Sequence, residues 1–108
     1  MIIQQGDQYA IPISIKSGSE VITPENCSDV RVKIDDIMVS YNNGSGDLTY
    51  NAADRSWCFP LTEDISFKFS NSIQVQVGVK FDDDYVYSPV QRVDVSLSII
   101  KEKWSNNV

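Results

Sequence analysis

The sequence contains no histidine among its 108 residues. Histidine is the commonest general base and belongs to the usual nucleophilic triads and most zinc sites, so its absence removes the usual routes to hydrolytic and zinc-dependent catalysis. Basic residues are also scarce: nine Lys and Arg stand against fifteen Asp and Glu, a net charge of −6. Binding a phosphate backbone or an anionic membrane requires clustered cations, and here they are scattered. We therefore expect a non-enzymatic protein with no nucleic-acid and no membrane partner.

Long apolar runs and secretory features are missing as well. No apolar stretch approaches the length of a membrane span, and the first five residues have no basic region or cleavage site of a secretory signal. The sequence thus predicts a soluble protein made in the cytoplasm. Its two cysteines, Cys27 and Cys58, form no CxxC pair, and reduced, buried thiols are the default without secretion. A disulfide between them stays open, because sequence does not give their Cα separation.

The strongest pattern present lies in residues 72–81. Apolar and polar side chains alternate there with a period of two, which is the period of a β-strand with one buried face. The inward row is predicted to be Ile73, Val75, Val77, Val79 and Phe81. This stretch therefore predicts a central strand.

Shorter segments on either side repeat this alternation. Residues 8–15 alternate around Pro12, which cannot donate to a ladder, so we expect there an edge strand or a strand that crosses between the sheets. Residues 48–50 and 57–59 are expected to form a hairpin, and a helical turn is expected after Thr62 as N-cap. The last inward row is predicted to be Val93, Val95, Leu97 and Ile99.

Turn residues recur every 8 to 12 positions between about eight or nine short strands, and no helical periodicity is present. This spacing is typical of an all-β sandwich or barrel. An immunoglobulin-like antiparallel β-sandwich of about seven to nine strands fits best, although the Cys, Trp and Cys spacing of antibody domains is not met. We expect one sandwich domain over residues 1–100 and a flexible polar C-terminal tail over residues 101–108.

Candidate functional residues lie on the outer face of the central strand, in the following acidic turn and strand, and in the tail. Three consecutive aspartates do not have the alternate ligand spacing of calcium loops, so neither a metal site nor a cofactor is predicted, and calcium binding at this turn stays open. Tyrosine and tryptophan side chains are more often half-buried packing residues, but they can also form a protein- or sugar-binding surface. Trp104 is the exception, since no core is expected beside it in the polar tail. The candidate interaction surface comprises Gln74, Gln76, Asp82, Asp83, Asp84, Tyr85, Tyr87 and Trp104.

Several stretches, taken in order, resemble a known family. They are the Gln-Gly-Asp opening at residues 5–7, then residues 30–34, 59–66, 75–81 and 93–95. This order is similar to small immunoglobulin-like virion proteins of phages and prophages of Gram-positive bacteria, including the N-terminal module of upper baseplate proteins. The sequence departs from that pattern at residues 82–84, where such modules often carry Asp-Gly. The resemblance transfers no functional residues, because such modules work by surface and symmetry.

The resemblance implies a non-enzymatic structural protein of a phage tail, baseplate or head. Its partners would then be other virion proteins or further copies of itself, and its location the virion after synthesis in the cytoplasm. A pairing between sheet edges is one route to such assembly. The alternative is a module that binds carbohydrate or a host surface through the tyrosines that follow the acidic turn.

Overall fold

The computed structural model describes residues 3–104, which form eleven strands and one short α-helix. A 3-10 turn at Asn42–Gly44 follows the sixth strand. The elements are β1 (Ile3–Gln4), β2 (Tyr9–Ile13), β3 (Lys16–Ser17), β4 (Glu20–Val21), β5 (Asp29–Ile34), β6 (Ile37–Ser40), β7 (Thr49–Asn51), β8 (Ser56–Leu61), α1 (Glu63–Phe67), β9 (Ser72–Lys80), β10 (Tyr85–Tyr87) and β11 (Gln91–Ser96).

The larger sheet is organised around β9, as the alternation in residues 72–81 predicts. Its strand order is β1-β11-β9-β5-β6. One edge of β9 pairs with β5, and the other pairs first with β11 and then with β10. The chain interrupts this second edge at residues 88–90, where Pro89 cannot donate to a ladder. All these pairings are antiparallel except that of β1 with β11, which is parallel.

The smaller sheet has the order β2-β8-β7. Pro12 lies in β2 at the edge of this sheet, which confirms the expected edge strand. The expected hairpin is confirmed as β7 and β8, and β3 and β4 form a separate two-residue ladder. The helical turn is confirmed as α1, where the amide of Ile65 donates to the Thr62 hydroxyl oxygen at 3.3 Å. This helix connects the smaller sheet to the larger one.

The core lies between the two sheets and is centred on Trp57. Alternate residues of β8 and β5 are buried, so both strands turn their apolar rows towards the same cluster. The Trp57 indole donates to the carbonyl of Ile22 at 3.0 Å, and the rings of Tyr41 and Tyr50 lie 5.1 and 4.9 Å from it. The indole therefore has both a polar partner and aromatic contacts inside the core.

The predicted all-β sandwich class is confirmed, with two differences in detail. The strand count is eleven, because β1, β3 and β4 are ladders of only two residues. The predicted last inward row is wrong at Leu97 and Ile99, which are 62% and 98% exposed. The strand β11 ends at Ser96, opposite the last residue of β1, so the alternation continues beyond the sheet. The immunoglobulin-like type stays a prediction.

Candidate interaction surfaces

Two tyrosines of β10 lie on the outer face of the larger sheet, and one of them covers a glycine. Cross-strand pairing places Tyr85 opposite Lys80, and both Tyr87 and Arg31 opposite Gly78. A Cβ atom at Gly78 would lie 2.6 Å from Tyr87 Cε1 and 3.1 Å from Arg31 Cγ. Because glycine leaves this space empty, the phenol ring can lie against the strand backbone. We call these five residues the tyrosine shelf.

The shelf borders a shallow hollow of about 190 Å³. The ammonium of Lys80 lies 5.8 Å from the centroid of the Tyr85 ring, within the range of a cation–π contact. Asp29 also lines the hollow, but its Oδ1 accepts the amides of Val30 at 2.8 Å and Asn42 at 2.9 Å. This carboxylate therefore has backbone partners, and the cations supply the charge most open to a ligand.

The outer face is more basic than the protein as a whole. The strand register places Arg31, Lys33, Lys80 and Arg92 on this face, four of the nine basic residues. In the described part of the chain the one salt bridge joins Lys103 to Asp64, so none of these four side chains is ion-paired within residues 3–104. The same register places two carboxylates, Asp29 and Asp94, on these strands, so the strands of an acidic protein present more cations than carboxylates on this face.

The two glutamines of β9 have different surroundings. Gln76 is half-buried, and its amide nitrogen donates to the carbonyl of Ser88 at 2.9 Å. The Ser88 hydroxyl in turn accepts the amide of Val77 at 3.0 Å. The side chain of Gln76 therefore helps to position the interruption between β10 and β11. Gln74 is exposed opposite Arg92, so it remains a candidate contact residue.

The three aspartates form the exposed tip of the hairpin between β9 and β10. The amide of Phe81 donates to the carbonyl of Asp84 at 2.9 Å, which closes the turn. Among residues 3–104, no group of three or more His, Cys, Asp or Glu side chains is arranged to hold a metal ion. The tip adjoins the tyrosine shelf, so Asp82, Asp83, Asp84, Tyr85 and Tyr87 occupy one hairpin.

Trp104 lies at a separate place, against α1. Its amide donates to Glu63 Oε2 at 2.7 Å, and the neighbouring Lys103 is paired with Asp64. The indole itself is 84% exposed. The candidate residues predicted from the sequence therefore do not form one continuous site. Residues 105–108 of the predicted tail lie outside the described residues.

A groove runs along the side of the sandwich between β2 and β10. Its volume is about 390 Å³, and we call it the side groove. It exists because β2 is the last strand of its sheet, so the inward side chains of Val75 and Val77 are only half-buried. The apolar residues that line the side groove are Ile13, Ile15, Ile22, Val75, Val77, Val79, Phe81, Val86, Tyr87 and Pro89.

Of the candidate residues predicted from the sequence, Tyr87 alone lines this groove. Alternation shows which face of a strand is inward, but it does not show whether an opposite layer covers that face. Arg31 and Gly78 were missed for a related reason, since their proximity depends on strand register. The isolated glycine in a strand pattern was the available signal, because such a glycine often marks close approach of another group.

The two cysteines are free and half-buried. The thiol of Cys27 donates to the carbonyl of Thr23 at 3.2 Å. Burial, and secondarily the charge of Asp29, raises the pKa of the Cys27 thiol. A raised pKa keeps this thiol protonated and lowers its nucleophilicity near neutral pH.

Comparison with protein-family models, with curated proteins and with solved structures finds no match to this chain. Within residues 3–104, no helix has the length and apolar character needed to cross a membrane. The surfaces described above are the features of this chain that bear on its function.

Proposed function

We propose that this protein is a non-enzymatic structural component of a phage or prophage particle, in the tail, the baseplate or the head. The observation that carries this proposal is the amount of apolar surface that the fold leaves uncovered. Within residues 3–104, β10 pairs with β9 and with no other strand. Its side chains Tyr85, Val86 and Tyr87 are between 52% and 67% exposed.

An unpaired strand edge with exposed apolar side chains is adhesive, because its free amide and carbonyl groups can pair with another chain. Exposed apolar side chains that lie together are typical of protein interaction sites. In this proposal the partners are other virion proteins or further copies of this chain. These features support protein–protein assembly without specifying the particle.

The assignment to a phage particle is supported by the resemblance of residues 5–7, 30–34, 59–66, 75–81 and 93–95 to immunoglobulin-like virion proteins. An immunoglobulin-like fold is part of this proposal, and the strand order supports it. The order β11-β9-β5-β6 with β2-β8-β7 follows the G-F-C-C′ and B-E-D orders of immunoglobulin sandwiches. In this proposal the protein is made in the cytoplasm and resides in the virion.

The test is incorporation into particles. Particles produced by the bacterium that encodes the chain are purified by density gradient. Their proteins are identified by mass spectrometry, and an antibody against this chain provides a second readout. We expect a fixed number of copies per particle. Absence of the chain both from particles and from purified tail and head intermediates would overturn the proposal.

A second candidate function is binding of a carbohydrate or host surface at the tyrosine shelf. Two exposed phenol rings beside unpaired Arg31 and Lys80 favour an acidic sugar, since aromatic faces contact sugar rings and the cations attract carboxylate or phosphate groups. Titration with purified cell-wall polymers, followed by NMR signals of Gly78 and Tyr87, tests it. Unchanged signals in every titration would remove this candidate, and Tyr50→Phe is a control outside the shelf.

A further inference from the structure

Three apolar side chains project from the segment that follows β11. Leu97, Ile99 and Ile100 are 62%, 98% and 67% exposed, and we call them the apolar knob. Side-chain contacts with Gln5 flank the two isoleucines. The Ser98 hydroxyl donates to the carbonyl of Gln5 at 2.7 Å, and the Lys101 ammonium donates to the Gln5 side-chain oxygen at 2.6 Å. The knob is therefore held outward by contacts with the body of the protein.

The knob and the side groove have complementary chemistry. The groove exposes half-buried aliphatic side chains of β9, including Val75 and Val77, together with Val86 of β10. The knob consists of three aliphatic side chains and no charged residue. Each surface leaves apolar area in water, and joining them would remove that area from solvent. Lys16 is the one charged residue that lines the groove, so the contact leaves the Lys16 ammonium at its border.

The knob cannot reach the groove of its own molecule in this arrangement. Gln91, at the start of β11, lines the groove, whereas the knob follows Ser96 at the end of that strand. Five residue steps of extended strand span about 17 Å. Beyond Ser96 the segment is bound to Gln5 and then to Asp64 of α1, away from the groove. The knob can therefore enter a side groove only in another molecule.

We propose that the apolar knob of one copy inserts into the side groove of a second copy. Such a contact joins two different surfaces, so it is heterologous and repeats head to tail. Repetition produces a ring where the rotation closes and an open chain where it does not. This inference deepens the proposed function, since it rests on the protein acting by assembly and names a second copy of the chain as the partner.

Two variants separate this contact from other modes of association. Ile99→Asp places a charge on the knob and leaves the groove intact, whereas Val86→Glu does the converse. Both residues are exposed, so neither change removes core packing. Met38→Glu is the matched control, because Met38 is 53% exposed on β6, far from both surfaces in the strand order. Circular dichroism and thermal melting verify that all variants fold.

Molecular mass is measured by sedimentation equilibrium over a concentration series. The wild type and Met38→Glu are expected to rise above the 12.1 kDa of one chain as concentration increases. Each of Ile99→Asp and Val86→Glu alone should remain monomeric. An equimolar mixture of the two should reach twice the single-chain mass and stop there, because only one functional contact can form between them.

Any other pattern overturns the inference. A Val86→Glu protein that associates like the wild type would mean that the knob pairs with something other than the groove. A mixture that stays monomeric, or a wild type that is monomeric throughout, would exclude the knob-to-groove contact. Incorporation into particles is measured separately, so a monomeric wild type found in virions would remove this inference and leave the proposed function standing.

Discussion

The two sides of the sandwich use the same kind of inward side chain but bury it to different degrees. On one side, Val32 of β5 is completely buried beneath the layer that contains Trp57. Its direct cross-strand partner, Val77 of β9, is only half-buried and lines the side groove. Within one sheet, the inner face therefore lies in a closed core at Val32 of β5 and in an open groove at Val77 of β9.

This difference shows that the core and the candidate interface are parts of one apolar layer. Where the smaller sheet continues through β8 and β7, the layer is covered and stabilises the fold. Where that sheet ends at β2, the same layer remains accessible. Burial of apolar area is the main favourable term both in folding and in most protein association, so an uncovered part of a core is suited to a partner.

Removing the centre of the closed side should have the largest effect. Trp57→Ala loses a fully buried indole and its hydrogen bond to Ile22, which we expect to lower the free energy of unfolding by about 3–5 kcal/mol. Urea denaturation followed by circular dichroism measures this. The control is Trp104→Ala, where an exposed indole is removed and the change should stay within about 0.5 kcal/mol. Equal effects of the two substitutions would contradict the comparison.

A matched pair of valines tests the boundary between the two sides. Val32→Ala should cost about 2 kcal/mol, because two buried methyl groups are lost and a cavity remains. Val77→Ala should cost less than about 1 kcal/mol, because its side chain is already partly in water. The same denaturation experiment gives both values. If Val77→Ala cost as much as Val32→Ala, the groove would be closed in solution.

The thiol of Cys27 gives a smaller effect near the closed side. The reaction of Cys27 with a thiol reagent is measured in a Cys58→Ser protein. Because the pKa of Cys27 is raised, the rate should reach half its maximum at a pH above the usual pKa of a cysteine thiol. The stabilisation that the protonated Cys27 thiol gives the folded state is fully present at a pH below the pKa of the thiol in the unfolded chain. It is lost as the pH rises through the higher pKa of the thiol in the folded protein. Urea-unfolded protein is the reference. A midpoint equal to that of the unfolded chain would show that Cys27 is solvated.

The smallest expected effect concerns the contact between the tail and α1. The hydrogen bond and then the charge of Lys103 hold the pKa of the Asp64 carboxyl below its usual value. The contact should therefore be fully present at a pH above the ordinary pKa of aspartate, and it should be lost as the pH falls through the lowered pKa of Asp64. NMR signals of Lys103 and Trp104 report it. In Asp64→Asn these signals should lose that transition; an unchanged titration would assign it to another group.

Much of the sandwich could be predicted from alternation and turn chemistry. The period of two in residues 72–81 predicts the central strand, and Pro12 predicts an edge. Thr62 predicts the helix N-terminus because its hydroxyl accepts an amide that the helix leaves unpaired. Each of these features depends on neighbours in the sequence, so a local pattern is sufficient.

The candidate surfaces could be predicted only in part, because they depend on register and on what lies opposite. The sequence predicts Tyr85 and Tyr87 as candidate contact residues, but their position beside Arg31 requires the pairing of β5, β9 and β10. Gln76 was predicted to face a partner, yet the interruption at Pro89 brings the Ser88 carbonyl to its amide. Leu97 and Ile99 fit the alternation and are exposed because β11 ends before them.

The parallel pairing of β1 with β11 has a mechanical consequence. Gln5 joins the two strands through its amide to Ser96 at 2.9 Å and through its carbonyl and side-chain oxygens to Ser98 and Lys101. Because the strands run in the same direction, a force that pulls Ile3 and Lys101 apart along the strand axis loads these bonds together in shear. Bonds loaded together resist more force than bonds opened one after another, so tension transmitted through both strands would be carried first at Gln5.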